Sequence, residues 1–258
     1  MKLSIITINY NNKLGLIQTF KSIEKQVNID YNQFEYIVID GLSNDGSINL
    51  IKTNKIVSKY KIEKDDGIAD AFNKGISFSN GEYLYFLNSG DIFYNEKSLE
   101  FILNKLKNIN YDILINRIAM IDNNGYILNN AGKNINLKQQ IYRNYLPHQG
   151  MLIKRDLFNK YGLYDKNYKL GMDYEWSLRL LKDIDNLNIK FIDYILCKMI
   201  EGGISQTQYI NTFFAYHKAR IKNNIMSFAC SYAVSLFFIL KRSIGLLVKK
   251  IMKKNAYN

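Results

Sequence analysis

A chain of 258 residues that is 47% hydrophobic and 22% charged can fill one large core, and its single proline, Pro147, leaves no proline-rich linker between folding units. The net charge of +12 raises nucleic acid as a partner, but nine cations and no acid fall in residues 218–258, leaving +3 for the first 217 residues. Cys197 and Cys230 lack any Cys or His at ligand spacing, which excludes a zinc site and a disulfide framework and leaves two small buried hydrophobes.

The chain opens on MKLSIITINY, with no basic leader, long apolar region or cleavage site, so a core strand at residues 3–8 and a cytoplasmic protein are expected. Leu14, Ile17, Phe20 and Ile23 then recur at helical spacing. A strand at residues 36–39 ends in Asp40-Gly41, and the turn cluster Ser43-Asn44-Asp45-Gly46 leads into a helix running toward Val57. A short strand at 61–62, a helix at 68–79 and a strand at 82–87 complete a βαβαβαβ order, which implies a mostly parallel sheet with helices on both faces. Beyond Asp91 the pattern is mixed. Strands are predicted at 111–120, 126–128, 148–153 and 190–194, a turn at Asn123-Asn124-Gly125, and helices at 155–161 and 173–181.

Polar groups follow the strands: Asn9, Asp40, Asp65-Asp66, then Ser89 with Asp91. In open α/β sheets that edge binds ligands. Asp40 can accept from the ring N–H of a base such as uracil, although an Asx turn or a helix cap would use the same residue. Asp65, Asp66 and Asp70 crowd a helix start beyond what capping requires. The run Phe86-Leu87-Asn88-Ser89-Gly90-Asp91 can aim one carboxylate at a Mg2+ or Mn2+ ion held mostly by diphosphate oxygens, and a turn-forming Asp is the plainer alternative.

The segments SIITINYNN, IDGLSNDGS, DDGIADAFNKGI, GEYLYFLNSGD, HQGMLIKRDLF and MDYEW, in this order, resemble the inverting glycosyltransferases of family 2, in particular the branch that builds bacterial surface polysaccharides. The resemblance covers about residues 2–205. It implies an α/β fold of the GT-A type, a Rossmann-like single domain over residues 1–210. Residues 1–95 would form its nucleotide-binding half and 96–210 its acceptor-binding half.

The same resemblance implies site roles. Thr7, Asn9 and Asp40 would contact the nucleoside, Asp66, Asp70 and Ser89 would line the donor site, and Asp91 would hold a divalent Mn2+ or Mg2+. Asp173 would be the catalytic base, and Trp176, at i+3 from it, would wall the acceptor pocket. His148, Gly202 and Gly203 would lie near acceptor or diphosphate. The donor would be a nucleotide sugar, with UDP favoured by Asp40, and the acceptor a glycan hydroxyl, lipid-linked through a polyprenyl diphosphate. Two positions depart from the family pattern: Asn88 stands where the first metal-binding acid is usual, and Met172 replaces the Glu before the base. No Arg or Lys marks residues 66–68, so the diphosphate's basic partner is unassigned.

Residues 211–258 read as a basic amphipathic helical tail. Its apolar stretch 228–240 is too short for a hydrocarbon core that needs about 20 residues. Apolar segments interleaved with cations fit a helix lying on anionic lipid, placing the enzyme peripherally on the inner face of the cytoplasmic membrane, with a helical hairpin or an oligomer contact as the alternative. A nucleotidyltransferase is disfavoured by the lack of a Gly-rich phosphate loop with a following Lys. A nucleic-acid adaptor is disfavoured by acids at the strand ends, so no nucleic acid is expected.

Overall fold

The computed structural model describes residues 2–107, 110–122, 124–132 and 135–255. The first half follows the expected alternation: β1 (Leu3–Asn9), α1 (Lys13–Glu24), β2 (Phe34–Asp40), α2 (Ser47–Thr53), β3 (Lys59–Ile62), α3 (Ile68–Phe78) and β4 (Tyr83–Phe86). These strands lie in the order β3-β2-β1-β4, all parallel. Their near-continuous apolar character has a direct cause, since alternate residues feed two separate cores. Ile6, Ile37, Ile39 and Phe86 pack on the face covered by α3, whereas Leu3, Ile5, Tyr36, Val38 and Tyr85 pack with Leu16 and Phe20 of α1.

The second half comprises β5 (Ile92–Phe93), α4 (Ser98–Leu106), β6 (Ile113–Ile121), β7 (Ile127–Ala131), β8 (Met151–Lys154), α5 (Asp156–Tyr161), α6 (Met172–Leu181), β9 (Ile189–Ile200), α7 (Ile204–Thr207), α8 (Tyr209–Lys222) and α9 (Phe228–Asn255). β8 joins antiparallel to β4 and β6, β9 runs parallel to β6, and β5 closes the edge against β9. The helix α4 was absent from the predicted elements although Leu99, Ile102, Leu103 and Leu106 form its buried stripe.

Several expectations change. β9 runs on to Ile200, six residues beyond the predicted strand end, because its backbone stays paired with β6 as far as Ile121. His148 sits in a single 3-10 turn rather than in a strand, with the Gly150 N–H donating to Pro147 O at 2.7 Å. In the predicted hairpin turn Asn123 lies outside the described residues, and Gly125, at φ +86°, carries the reversal between β6 and β7. Cys197 is buried as expected, but Cys230 is exposed on α9.

The tail is the largest departure. α8 buries Phe213, Tyr216, Ala219 and Arg220 against α6 and the same core as α3, so the packed body continues past residue 210. α9 is one unbroken helix through Lys241-Arg242, and its stretch Phe228–Val248 is long and apolar enough to cross a membrane by length and composition. The apolar stretch 228–240 stops in the sequence at Lys241-Arg242, two cations that the helix carries without interruption.

Candidate active site

The carboxyl ends of β1, β2 and β4 open on a cleft of about 730 Å3, lined among others by Asn9, Tyr10, Gly41, Lys64 and Asp65. A second cleft of about 550 Å3 brings together Asp91, His148, Lys169, Asp173, Gly202 and Gly203. The two share Asn12, Ile68, Asn88, Ser89 and Ile204, so they form one groove divided at the loop after β4.

That loop is pinned from below. The Ser89 N–H donates to Ile8 O at 3.3 Å, and the hydroxyl of Thr19, buried on α1, donates to Asp91 O at 2.8 Å while accepting from the Gly90 N–H at 3.0 Å. Gly90 takes φ +101°, the left-handed conformation that lets the chain double back. The result is a buried carboxyl at Asp91, whose pKa burial pushes up to about 7, with a hydrogen bond from the Asn88 backbone opposing. Its Oδ2, like Oδ1 of Asn88, is a buried acceptor without a partner among the described residues. Among the described residues no three His, Cys, Asp or Glu side chains gather as a metal cluster. One carboxylate and one amide oxygen, both hard and unsatisfied, fit a divalent cation whose other ligands are phosphate oxygens and water.

Asp173 occupies the first turn of α6, where the helix dipole favours an anion. Gly171 at φ +68° starts that helix, and a Cβ there would meet Cε1 of Tyr216 at 2.7 Å, so α8 can sit directly behind the base. Oδ2 of Asp173 accepts from Asn144 Nδ2 at 2.6 Å. His148, beside it, stacks on Phe86 with ring centroids 4.9 Å apart and shares a 2.8 Å hydrogen bond with the Tyr164 hydroxyl. Burial pushes its pKa down, against the pull of Asp173, so the imidazole is a neutral wall of the cleft.

Other expected site residues are not brought to the groove. Thr7 is fully buried, donating to Leu87 O and accepting from the Tyr36 hydroxyl. Asp40 is also fully buried, and its carboxylate is saturated by Asn9 Nδ2, the Ser43 N–H and the Ser43 hydroxyl, so it braces the turn. Gly41 faces the cleft in its place, and a Cβ there would lie 2.8 Å from the Asp65 carboxylate. Asp70 accepts from the Asp66 N–H and pairs with Lys74 at 3.0 Å and Lys166 at 3.2 Å. Burial raises its pKa, but these partners outweigh burial and the net shift is downward. Asp66 is exposed and lines neither cleft. Trp176 is core: it stacks on Phe158 at 4.5 Å and donates Nε1–H to Gly162 O, so it walls no acceptor pocket. Glu175, two residues beyond Asp173 on α6, is fully buried among Arg179, Lys222 and Asn223 and faces away from the groove.

Lys64 and Lys169 are the groove-lining cations that went unnoticed. Lys169 stands four residues before Asp173, which was the available signal.

The profile of glycosyl transferase family 2 matches residues 4–165. An uncharacterized glycosyltransferase of Mycobacterium tuberculosis is 29% identical over 209 residues, covering 78% of this chain and 76% of the relative. The poly(ribitol-phosphate) beta-N-acetylglucosaminyltransferase TarP of Staphylococcus aureus is 33% identical over 123 residues, 46% of this chain and 37% of TarP. Among solved structures, TarS of S. aureus in complex with UDP-GlcNAc superposes with TM-score 0.68 at 17% identity, over 93% of this chain and 72% of that one. The mannosyltransferase PcManGT of Pyrobaculum calidifontis, in complex with GDP-Man and Mn2+, superposes with TM-score 0.63 at 13% identity, over 88% and 65%. At these identities the structural likeness is one of fold.

Proposed function

Because this chain belongs to glycosyltransferase family 2, we propose that it is an inverting enzyme that moves a sugar from a nucleotide-diphosphate donor to a glycan hydroxyl in the synthesis of a bacterial surface polymer. The observation that carries this is the placement of Asp91 and Asp173 on one groove, continuous with a second cleft large enough for a nucleoside. A UDP-sugar is the favoured donor, in keeping with the UDP-GlcNAc complex of TarS. TarP's poly(ribitol-phosphate) activity supports a cell-surface polymer as the destination.

The nucleoside lies against Asn9, Tyr10 and Gly41 in the half formed by residues 1–95. Asp91 with Asn88 would hold a Mn2+ or Mg2+ ion, in keeping with the Mn2+ complex of PcManGT, and that ion would supply charge neutralisation for the diphosphate. Lys64 and Lys169 are the cations placed to share that charge. Asp173 takes the acceptor hydroxyl proton as that oxygen bonds to the anomeric carbon and the bond to the diphosphate oxygen breaks. One in-line displacement inverts the anomeric configuration.

The polymer is lipid-linked in this proposal, and α9 brings the enzyme to it. Phe228, Phe237, Leu240, Ile244 and Leu247 are exposed on α9 beside Lys241 and Arg242. α9 is docked along the body as far as Ser243, whose hydroxyl meets that of Tyr209 at 2.9 Å. That docked face, opposite an exposed apolar face flanked by cations, favours α9 lying on an anionic cytoplasmic leaflet.

The test is a panel of nucleotide sugars assayed for nucleoside diphosphate release with Mn2+ and with chelator. Metal-dependent release from a UDP-sugar is expected. Release equal in chelator, or none from any donor, would overturn the proposal.

A further inference from the structure

Asp173 does not stand free in the groove. Its Oδ2 accepts from Asn144, while among the described residues Oδ1 accepts no hydrogen bond. Asn144 belongs to the irregular segment between residue 141 and the 3-10 turn at His148. A side chain on such a segment holds a carboxylate only if the segment is itself held.

Gln140 holds it. This residue is fully buried, and its Oε1 accepts the N–H groups of Tyr145 at 2.8 Å and Leu146 at 3.3 Å, wrapping the segment around the amide. Its Nε2 donates to Asn144 Oδ1 and to Ser177 Oγ, both at 2.8 Å. Ser177 lies one helical turn beyond Asp173 on α6, so Gln140 ties the segment to the helix that carries the base. The Ser177 hydroxyl is spent on Tyr174 O at 2.7 Å, which leaves it an acceptor toward Gln140. With Oδ1 of Asn144 occupied by a donor, its amide orientation is settled, and Nδ2–H faces Asp173. The Tyr174 hydroxyl on Ile141 O and Arg220 on Tyr142 O fix the start of the segment.

We propose that Asn144 is a positioning residue: its amide N–H immobilises Oδ2 of Asp173 so that Oδ1 alone is presented to the acceptor hydroxyl. This rests on the assignment of Asp173 as base. A carboxylate free to rotate spends part of its time with neither oxygen in line, and misplacement on the order of 1 Å costs about 10²-fold.

Asn144→Ala isolates the effect. It removes the donor facing Asp173 and adds no charge, whereas Asn144→Asp would set a second carboxylate against Asp173 and make the pair share a proton. The assay is nucleoside diphosphate release from the UDP-sugar that the native protein turns over fastest, with Mn2+ saturating. The expected result is a fall in kcat of about 10- to 100-fold with the donor KM within about twofold and the melting temperature nearly unchanged. In an Asp173→Asn background the same substitution should cost nothing further, since there is no base left to aim. If Asn144→Ala proves unstable, Asn144→Ser must show the same division between kcat and KM. An inactive Asp173→Asn with a fully active Asn144→Ala would overturn the positioning role and leave the base in place. Full activity of Asp173→Asn would overturn the base assignment itself. A loss that persists undiminished in the double variant would overturn the proposal by placing Asn144's effect elsewhere.

Discussion

Arg220 on α8 donates from Nη2 to the Ser235 hydroxyl on α9 at 2.5 Å, with neither residue exposed. The same guanidinium donates to the hydroxyl and the carbonyl of Ser231, also on α9, and among the described residues it has no carboxylate partner. A buried cation without a counter-ion is held only by such acceptors. α9 is therefore a structural member of the body, and deleting residues 227–258 is expected to destabilise it rather than merely release it from a membrane. Arg220→Met should cost about 2–4 kcal/mol, because charged hydrogen bonds to Ser231, Ser235 and the Tyr142 carbonyl are lost, even though the Ser235 hydroxyl keeps Phe213 O and the Ser231 hydroxyl keeps His217. Denaturant unfolding of the full chain checks this, and a change below about 0.5 kcal/mol would contradict it.

His148 sets a pH dependence. Burial depresses its pKa, so as pH falls below about 6.5 the unfolded chain takes up the proton before the folded one does. Its contribution to stability is complete above that pH and declines as pH drops toward the depressed folded value, by up to about 1.4 kcal/mol per pH unit. His217 is shifted in the same direction. The comparison is thus between native protein and His148→Gln: the variant should lose stability less steeply between pH 6.5 and 5. Parallel curves would remove His148 as the source.

Asp91→Asn separates the metal role from the fold. The carboxyl is buried with Oδ2 unpaired, so the amide should leave the melting temperature in chelator at pH 8 no lower than that of the native protein. Metal-dependent turnover should fall by roughly 10²-fold or more. Metal-dependent turnover of Asp91→Asn equal to that of the native protein at saturating Mn2+ would dismiss Asp91 as a metal ligand.

The strands were legible because burial on both faces writes a continuous apolar run, as in Leu3 to Ile8. Asp91 and Asp173 were legible because each sits at an element end within a patterned motif. Asp40 and Thr7 were misplaced for a shared reason: a polar residue at a strand end can face a ligand or turn back on its own neighbours, and Ser43 decides the matter for Asp40 through contacts that no spacing displays. Trp176 shares a side of α6 with Asp173, yet deeper along that helix the same side meets α5, where Phe158 takes the indole. Gln140 and Asn144 carry no periodic signal, and their bonds to Ser177 and Asp173 span 37 and 29 residues. The stripe of Phe213, Tyr216 and Arg220 was visible at helical spacing, but the surrounding positive charge drew attention to a surface role instead.

The last prediction concerns the outer face of α9. Phe237, Leu240, Ile244 and Leu247 recur at spacings of three and four and are each 59–62% exposed, while Phe238 on the inner side stacks on Phe213. Replacing the four outer residues together (F237S, L240Q, I244Q, L247Q) removes apolar area without touching the docked face, so the melting temperature should hold. Each large apolar side chain is worth on the order of 1.5–3 kcal/mol when fully withdrawn from water. The variant's affinity for phosphatidylglycerol-rich vesicles should therefore fall by well over 10²-fold in a sedimentation assay. The cations supply the remaining attraction, which salt screens, so 0.5 M NaCl should weaken the native protein's binding as well. Metal-dependent nucleotide release should be unaltered, because none of the four residues lines either cleft. If the native protein ignores these vesicles and instead changes from dimer to monomer when the four residues are replaced, the face meets a second copy of the chain, and the membrane role is lost.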